Sequence, residues 1–235
     1  MSTGSVADFT DRCGRLTRVT GPDEGDDGPV TRVSTGHLPD DTTVGELLHA
    51  AYDRHRHVED GTVATYIPQL ARADPAWCAA SVVSVAGRAF EVGDVGVRFS
   101  VQSVSKPFVL ALVVEALGAD RSRELLGANA TGLPFNSLEA LGVDDGGRTN
   151  PMVNPGAIAT ASFAPGSSAA EKWHFVSDGL SLFAGRDLEL DEETFSSASA
   201  TNHRNRELAA GLAQRGRLGC DPAGVRLTAE MVQEH

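Results

Sequence analysis

Lysine is almost missing from this chain: of its 20 basic residues only Lys106 and Lys172 are lysines. Nearly every structural positive charge is written as arginine, so each lysine calls for a reason of its own. Positive charge of any kind is in short supply. A formal net charge of -12 and a pI near 4.9 argue against a nucleic acid or an anionic membrane as partner, because both need a basic face that displaces counterions. Cysteine is scarce too: Cys13, Cys78 and Cys220 are odd in number and irregularly spaced, which suits neither a disulfide framework nor a zinc site and leaves free thiols as the expectation. No apolar run reaches the length of a membrane span, and the opening MSTGSVADFTDRCGR lacks the basic, apolar, small-residue order of a secretion signal. A cytoplasmic protein acting on a small molecule is expected. Internal repeats are absent.

What is present can fold. With 235 residues and 41% hydrophobic content the chain can bury a real core. Residues 1–42 are rich in Gly, Asp, Thr and Pro and have no hydrophobic periodicity, which predicts a flexible acidic leader. Residues 43–235 then form the main domain. Val44, Leu47, Leu48 and Ala51 recur at helical spacing over 43–57. Residues 77–94, WCAASVVSVAGRAFEVGD, are rich in β-branched residues and broken at Ala86-Gly87, the pattern of a hairpin. Residues 104–117 are apolar on nearly every side, which predicts a buried helix, and Pro107 is tolerable only in a first turn, so that helix starts close to Ser103. Further helices are expected at 120–126, 169–182 and 204–215, with Gly185 as a stop signal. One early hairpin with many helices reads as an α and β domain (α+β) rather than an alternating parallel fold.

Ser103-Val-Ser-Lys106 is the first chemical motif. Residues three apart on a helix share a face, so an amine lies beside a hydroxyl. A desolvated lysine can lose its charge and take the serine proton, which arginine cannot do. At a helix start, free N–H groups and the helix dipole also favour the oxyanion of an acyl intermediate. The plain alternative makes Ser103 an N-cap and Lys106 a first-turn surface residue.

The surrounding blocks bear on that choice. GTVATYIPQLA begins at Gly61, FSVQSVSK ends at Lys106, FNSLEAL begins at Phe135, NPMVNPGAIA begins at Asn150, and Arg204-Asn205 follows. In this order and at these separations, over about residues 45–220, the chain resembles the serine-dependent glutaminases. The resemblance implies a β-lactamase/transpeptidase-like fold, an antiparallel sheet with flanking helices and a helical portion. It also implies hydrolysis of L-glutamine with no metal or organic cofactor, in a homo-oligomer, expected to be a homotetramer. By the same resemblance Ser103 is the nucleophile, Lys106 its activator, and Tyr66 a partner in hydrogen bonding or proton transfer. Asn154 and Asn205 correspond to substrate-binding asparagines, and Gln102 belongs with them in the site. Taken alone, Asn154 reads as a turn residue and Tyr66 as a half-buried aromatic.

The sequence also departs from the family's pattern. Where a Ser-Glu pair is expected, this chain has Ser197-Ala198, and the lost countercharge for an α-ammonium is worth about 1.5 to 3 kcal/mol. Glu193 and Glu207 lie nearby in sequence, but neither has the right spacing to replace it. The family's later strands, with a Lys-Ser-Gly motif and two tyrosines, have no counterpart; the only tyrosines are Tyr52 and Tyr66. A chain truncated at its C-terminus, with an incomplete sheet, is therefore expected. Loss of one oxyanion donor costs about 10² to 10³ in rate, so an inactive remnant or binding protein is the main alternative. A penicillin-recognising acylase is a further one, because Ser-x-x-Lys-Pro-Phe also suits that group. Pro155 stands where the family has a small residue, and the sequence gives no reason for it.

Overall fold

The computed structural model describes residues 39–220 apart from residue 145, and these fall into two compact units, 39–99 and 100–220. Most of the expected leader, together with Cys13, lies outside the described residues. In the first unit helix α1 spans Asp41–His55, its start fixed by Asp40, whose side chain accepts a hydrogen bond from the Thr43 amide at 2.8 Å. Its apolar stripe is only half buried. Val44, Leu48 and Tyr52 are partly covered while Leu47 and Ala51 are exposed, so the helical spacing is as expected but the covered face is narrower.

Strands β1 (Ala79–Val83) and β2 (Ala89–Gly93) form the anticipated antiparallel hairpin, with Ala79 opposite Gly93 and Val83 opposite Ala89. Gly87 in the turn has φ +79°, a left-handed conformation that glycine adopts without steric cost. Among the described residues the sheet has two strands. Helix α1 packs on it closely: a Cβ on Gly93 would lie 2.6 Å from the Tyr52 ring and 2.1 Å from the Cys78 carbonyl oxygen.

The second unit is helical. A 3-10 turn over Gln102–Ser105 runs directly into α2 (Lys106–Leu117), with Pro107 in the first turn, where its missing N–H costs nothing. Gly118 ends α2, and α3 (Ala119–Leu125) follows. Helix α4 is Asn154–Ser162, α5 is Ala169–Ala184, α6 is Glu192–Thr201 and α7 is His203–Gln214. Helices α2, α3, α5 and α7 lie within a few residues of their expected positions, α6 is not among those expected, and Gly185 closes α5 in the left-handed conformation with φ +65°. Ser168 caps α5 by accepting from the Glu171 amide, and the Glu171 carboxylate accepts from the Ser167 amide and hydroxyl.

Helix α4 has no counterpart among the expected helices, yet it is the spine of this unit: all nine of its residues are buried. One side packs with Leu208, Ala209 and Leu212 of α7, and the other with Val109 and Val113 of α2 and Val176 of α5. Its own residues are small, which lets those helices approach. Its hydroxyls are satisfied within the helix, Thr160 donating to the Gly156 carbonyl at 2.7 Å and Ser162 to that of Ala159 at 2.6 Å. Complete burial of a Leu or Ile such as Leu208 or Ile158 contributes about 1.5 to 3 kcal/mol each. Helix α2 departs from the expectation of burial on every side. Val109, Leu112 and Val113 face inward while Phe108 and Ala111 face out, because an apolar composition does not say which faces receive a partner. Phe108 stacks at 5.1 Å on Phe183 of α5. No single helix among the described residues is long and apolar enough to cross a membrane.

Candidate active site

The junction of the 3-10 turn with α2 carries the serine and the lysine. Gln102 has φ +43°, the one left-handed residue other than glycine among those described. Such a conformation costs of order 1 to 3 kcal/mol and persists only where the surroundings impose it. Here the Gln102 carbonyl accepts from the Ser105 hydroxyl at 2.6 Å, and its side-chain amide donates to the Ser100 hydroxyl at 2.9 Å. The next residue, Ser103, is exposed, and its carbonyl accepts from the Lys106 amide. Lys106 is 7% exposed, which removes the reading of a first-turn surface lysine.

A buried amine needs acceptors, and this one finds a neutral amide. Lys106 Nζ donates to Asn154 Oδ1 at 2.8 Å, and Asn154 Nδ2 donates in turn to Asn205 Oδ1 at 2.9 Å. Asn154 and Asn205 are 8% and 2% exposed. The chain of bonds ends at Asn205 Nδ2, which is buried and has no partner among the described residues. The Phe135 ring lies 6.0 Å from Lys106 Nζ, and the Phe135 carbonyl accepts from the Asn154 amide at 2.7 Å. Arg204 Nε donates to the Asn136 carbonyl at 2.9 Å. Four of the five sequence blocks, those containing Lys106, Phe135, Asn154 and Asn205, thus meet at one place.

Burial pushes the Lys106 amine below the ordinary lysine value, since the charged form loses hydration and gains no carboxylate. The positive end of α4, which starts at Asn154, acts in the same direction. Among the described residues no cluster of three or more His, Cys, Asp or Glu is placed to hold a metal ion.

Of the residues named from sequence, Lys106, Asn154 and Asn205 are joined directly, and Gln102 and Ser103 lie in the turn that delivers Lys106. Tyr66 lies in the other unit and is 64% exposed, so its half-buried reading is corrected. The turn reading of Asn154 is corrected as well, because it is the first residue of α4. Asn150 is the turn residue, its side-chain oxygen accepting from the Met152 amide at 2.9 Å. Pro155 now has a reason, since it occupies the first turn of α4, where a fixed φ favours the helix. Ala198 is 1% exposed on α6. Glu193 and Glu207 are exposed, and Glu207 pairs with Arg204 at 3.1 Å, so neither fills the place next to Ala198. Sequence reasoning missed the Phe135 carbonyl and the strain at Gln102. Neither has a side-chain signature, although the Asn-Pro-Gly run could have marked the start of α4.

A helical body with a small antiparallel sheet and a lysine buried at the start of a core helix defines the β-lactamase-like class of folds. Within that class the chain belongs to the glutaminase family, whose model, described as Glutaminase, matches residues 61–228. It is 48% identical over 200 residues to Glutaminase 2 of Yersinia pestis, covering 85% of this chain and 59% of that one. It is 43% identical over 162 residues to a Glutaminase of Brucella abortus (strain S19), covering 69% of this chain and 51% of that one. Among solved structures, a probable glutaminase, ybaS, superposes with a TM-score of 0.78 at 32% identity over 83% of this chain and 64% of that one. A probable glutaminase from Bacillus subtilis complexed with 6-diazo-5-oxo-L-norleucine gives 0.68 at 27% identity over 84% and 59%. The chain spans between half and three-fifths of the length of these two curated relatives.

Proposed function

We propose that this chain hydrolyses L-glutamine to L-glutamate and ammonia through an acyl-enzyme on Ser103. The observation that carries the reading is the buried Lys106 amine, held by a neutral amide three residues beyond an exposed serine. A lysine lowered by burial gives up its proton more readily than an ordinary lysine, and its neutral form can accept one. In this reading Lys106 takes the hydroxyl proton as Ser103 Oγ attacks the side-chain carboxamide carbon, the C–N bond breaks, and the proton leaves with ammonia. Water then attacks the ester and releases glutamate. Asn154, Asn205 and Gln102 orient the substrate, and Tyr66 assists proton transfer. Family likeness supports a cytoplasmic homo-oligomer, a homotetramer, needing no metal or organic cofactor.

The test is ammonia release from L-glutamine by the purified protein. Ser103→Ala is expected to lower the rate by about 10³-fold or more. Lys106→Arg keeps the charge but cannot act as a base, and is expected to cost about 10² to 10⁴-fold. Equal rates for wild type and Ser103→Ala would refute the proposal.

A second reading, an inactive glutaminase remnant, is favoured by Ala198, whose buried methyl offers no countercharge to an α-ammonium. Thermal melting with and without glutamine separates the two: a cooperative melt that glutamine raises counts against the remnant, and a Tm that glutamine leaves unchanged, with no ammonia release, supports it.

A further inference from the structure

The Lys106–Asn154–Asn205 chain has a direction that its members do not choose independently. An ammonium can only donate, so in the charged form of Lys106 the Asn154 oxygen must face the amine. Asn154 Nδ2 then points away and requires an acceptor, which Asn205 Oδ1 supplies. All three groups are buried, so water is not at hand to replace a missing partner. Asn205 Nδ2 makes no bond, which means that within the described residues Asn205 contributes to this chain only as an acceptor.

We infer that Asn205 is a positioning residue for Lys106: by accepting from Asn154 Nδ2 it locks the Asn154 oxygen onto the lysine amine and so fixes the direction in which that amine points. The inference rests on the catalytic reading above and goes beyond it, since substrate contact alone would not tie Asn205 to Lys106. The surrounding charges leave this neutral chain as the control on the amine. Helix α4 carries no charged residue, and on α2 itself Glu115 is exposed. On α3, Arg121 pairs with Glu124 and Arg123 with Asp120 at the surface. On α5, Lys172 donates to the carbonyls of Ser162 and Ala164, Glu171 bonds Ser167, and His174 and Asp178 are exposed. On α7, Arg204 pairs with Glu207, Arg206 donates to the Ser199 carbonyl, and His203 is exposed.

Two substitutions separate the acceptor role from any other. Asn205→Asp keeps an oxygen in place, forfeits no bond that Nδ2 makes, and adds negative charge two hydrogen bonds from the amine. It is expected to raise the Lys106 titration midpoint and move the acidic limb of kcat/KM for glutamine to higher pH. Asn205→Leu removes the acceptor, frees Asn154 to turn, and is expected to lower the Lys106 midpoint. The chain has two lysines, so lysine-labelled protein gives two side-chain carbon signals by NMR, assigned with Lys172→Arg and titrated directly without substrate. The Lys172 signal serves as the control for folding, and Asn205→Asp stands alone if Asn205→Leu does not fold. Shifts in the stated directions support the inference. A Lys106 midpoint that stays fixed in both variants, or in Asn205→Asp alone, while KM for glutamine rises, overturns it and leaves Asn205 as a substrate contact. If the wild type releases no ammonia, the catalytic reading fails, yet the direct titration still decides this inference.

Discussion

Lys106 and Lys172 engage opposite ends of one helix. The first bonds the side chain of Asn154 at the start of α4; the second donates to the Ser162 carbonyl at 2.9 Å and to that of Ala164 just past the end of α4, where a positive charge suits the helix dipole. Burial lowers both amines from the ordinary lysine value. An unfolded chain therefore binds more protons between the lowered and the ordinary value, and each lysine's contribution to stability rises with pH through that window and is least favourable below it. Lys106→Met should accordingly abolish activity while raising stability at neutral pH by about 1 kcal/mol or more. Urea melts at several pH values check this: the advantage of the variant should shrink as pH climbs toward the ordinary lysine range. At this scale the sequence was informative, because a lysine in an arginine-rich chain stands out. It singled out Lys106 but left Lys172 unexplained, since the Ser162 and Ala164 carbonyls that hold it are backbone atoms with no identity in the sequence.

Helix α4 shows where reading by element falls short. Its residues, NPGAIATAS, lack the alternation of apolar and polar faces that marks a surface helix, because it is enclosed on every side. Periodicity detects one-sided burial and is blind to complete burial by small residues. The hairpin and helices α5 and α7, which each keep an exposed face, were legible for the opposite reason. Packing makes α4 intolerant of added volume. A Cβ on Gly156 would lie 1.9 Å from the Asn150 carbonyl oxygen, so Gly156→Ala should cost about 3 kcal/mol or more in denaturant unfolding and displace Asn154 with it. Pro155→Ala is milder: the position suits proline, and loss of its restraint on the unfolded chain should destabilise by about 0.5 to 1 kcal/mol. Ser168→Ala removes the cap of α5, for about 1 kcal/mol in the same measurement.

On the scale of the whole molecule, the two units differ in how much core they own. Residues 100–220 enclose two apolar clusters around α4. Within residues 39–99, Ile67 and Val92 are the buried apolar side chains, while Val82, Val83 and Val85 on and beside β1 are exposed. Strand edges that are unpaired among the described residues and bear valines are templates for another strand, so the purified chain is expected to self-associate as concentration rises, and Val83→Lys to reduce this in light scattering. Composition foretold a core and a hairpin, but it could not apportion burial between units, because that depends on which surfaces meet. The scarcity of lysine has a last consequence. With Lys106 and Lys172 only 7% and 8% exposed, the folded protein shields every side-chain amine from acylating reagents. Covalent tagging at these two sites would then proceed at the pace at which the helical unit opens, turning an ordinary labelling reaction into a clock for its breathing.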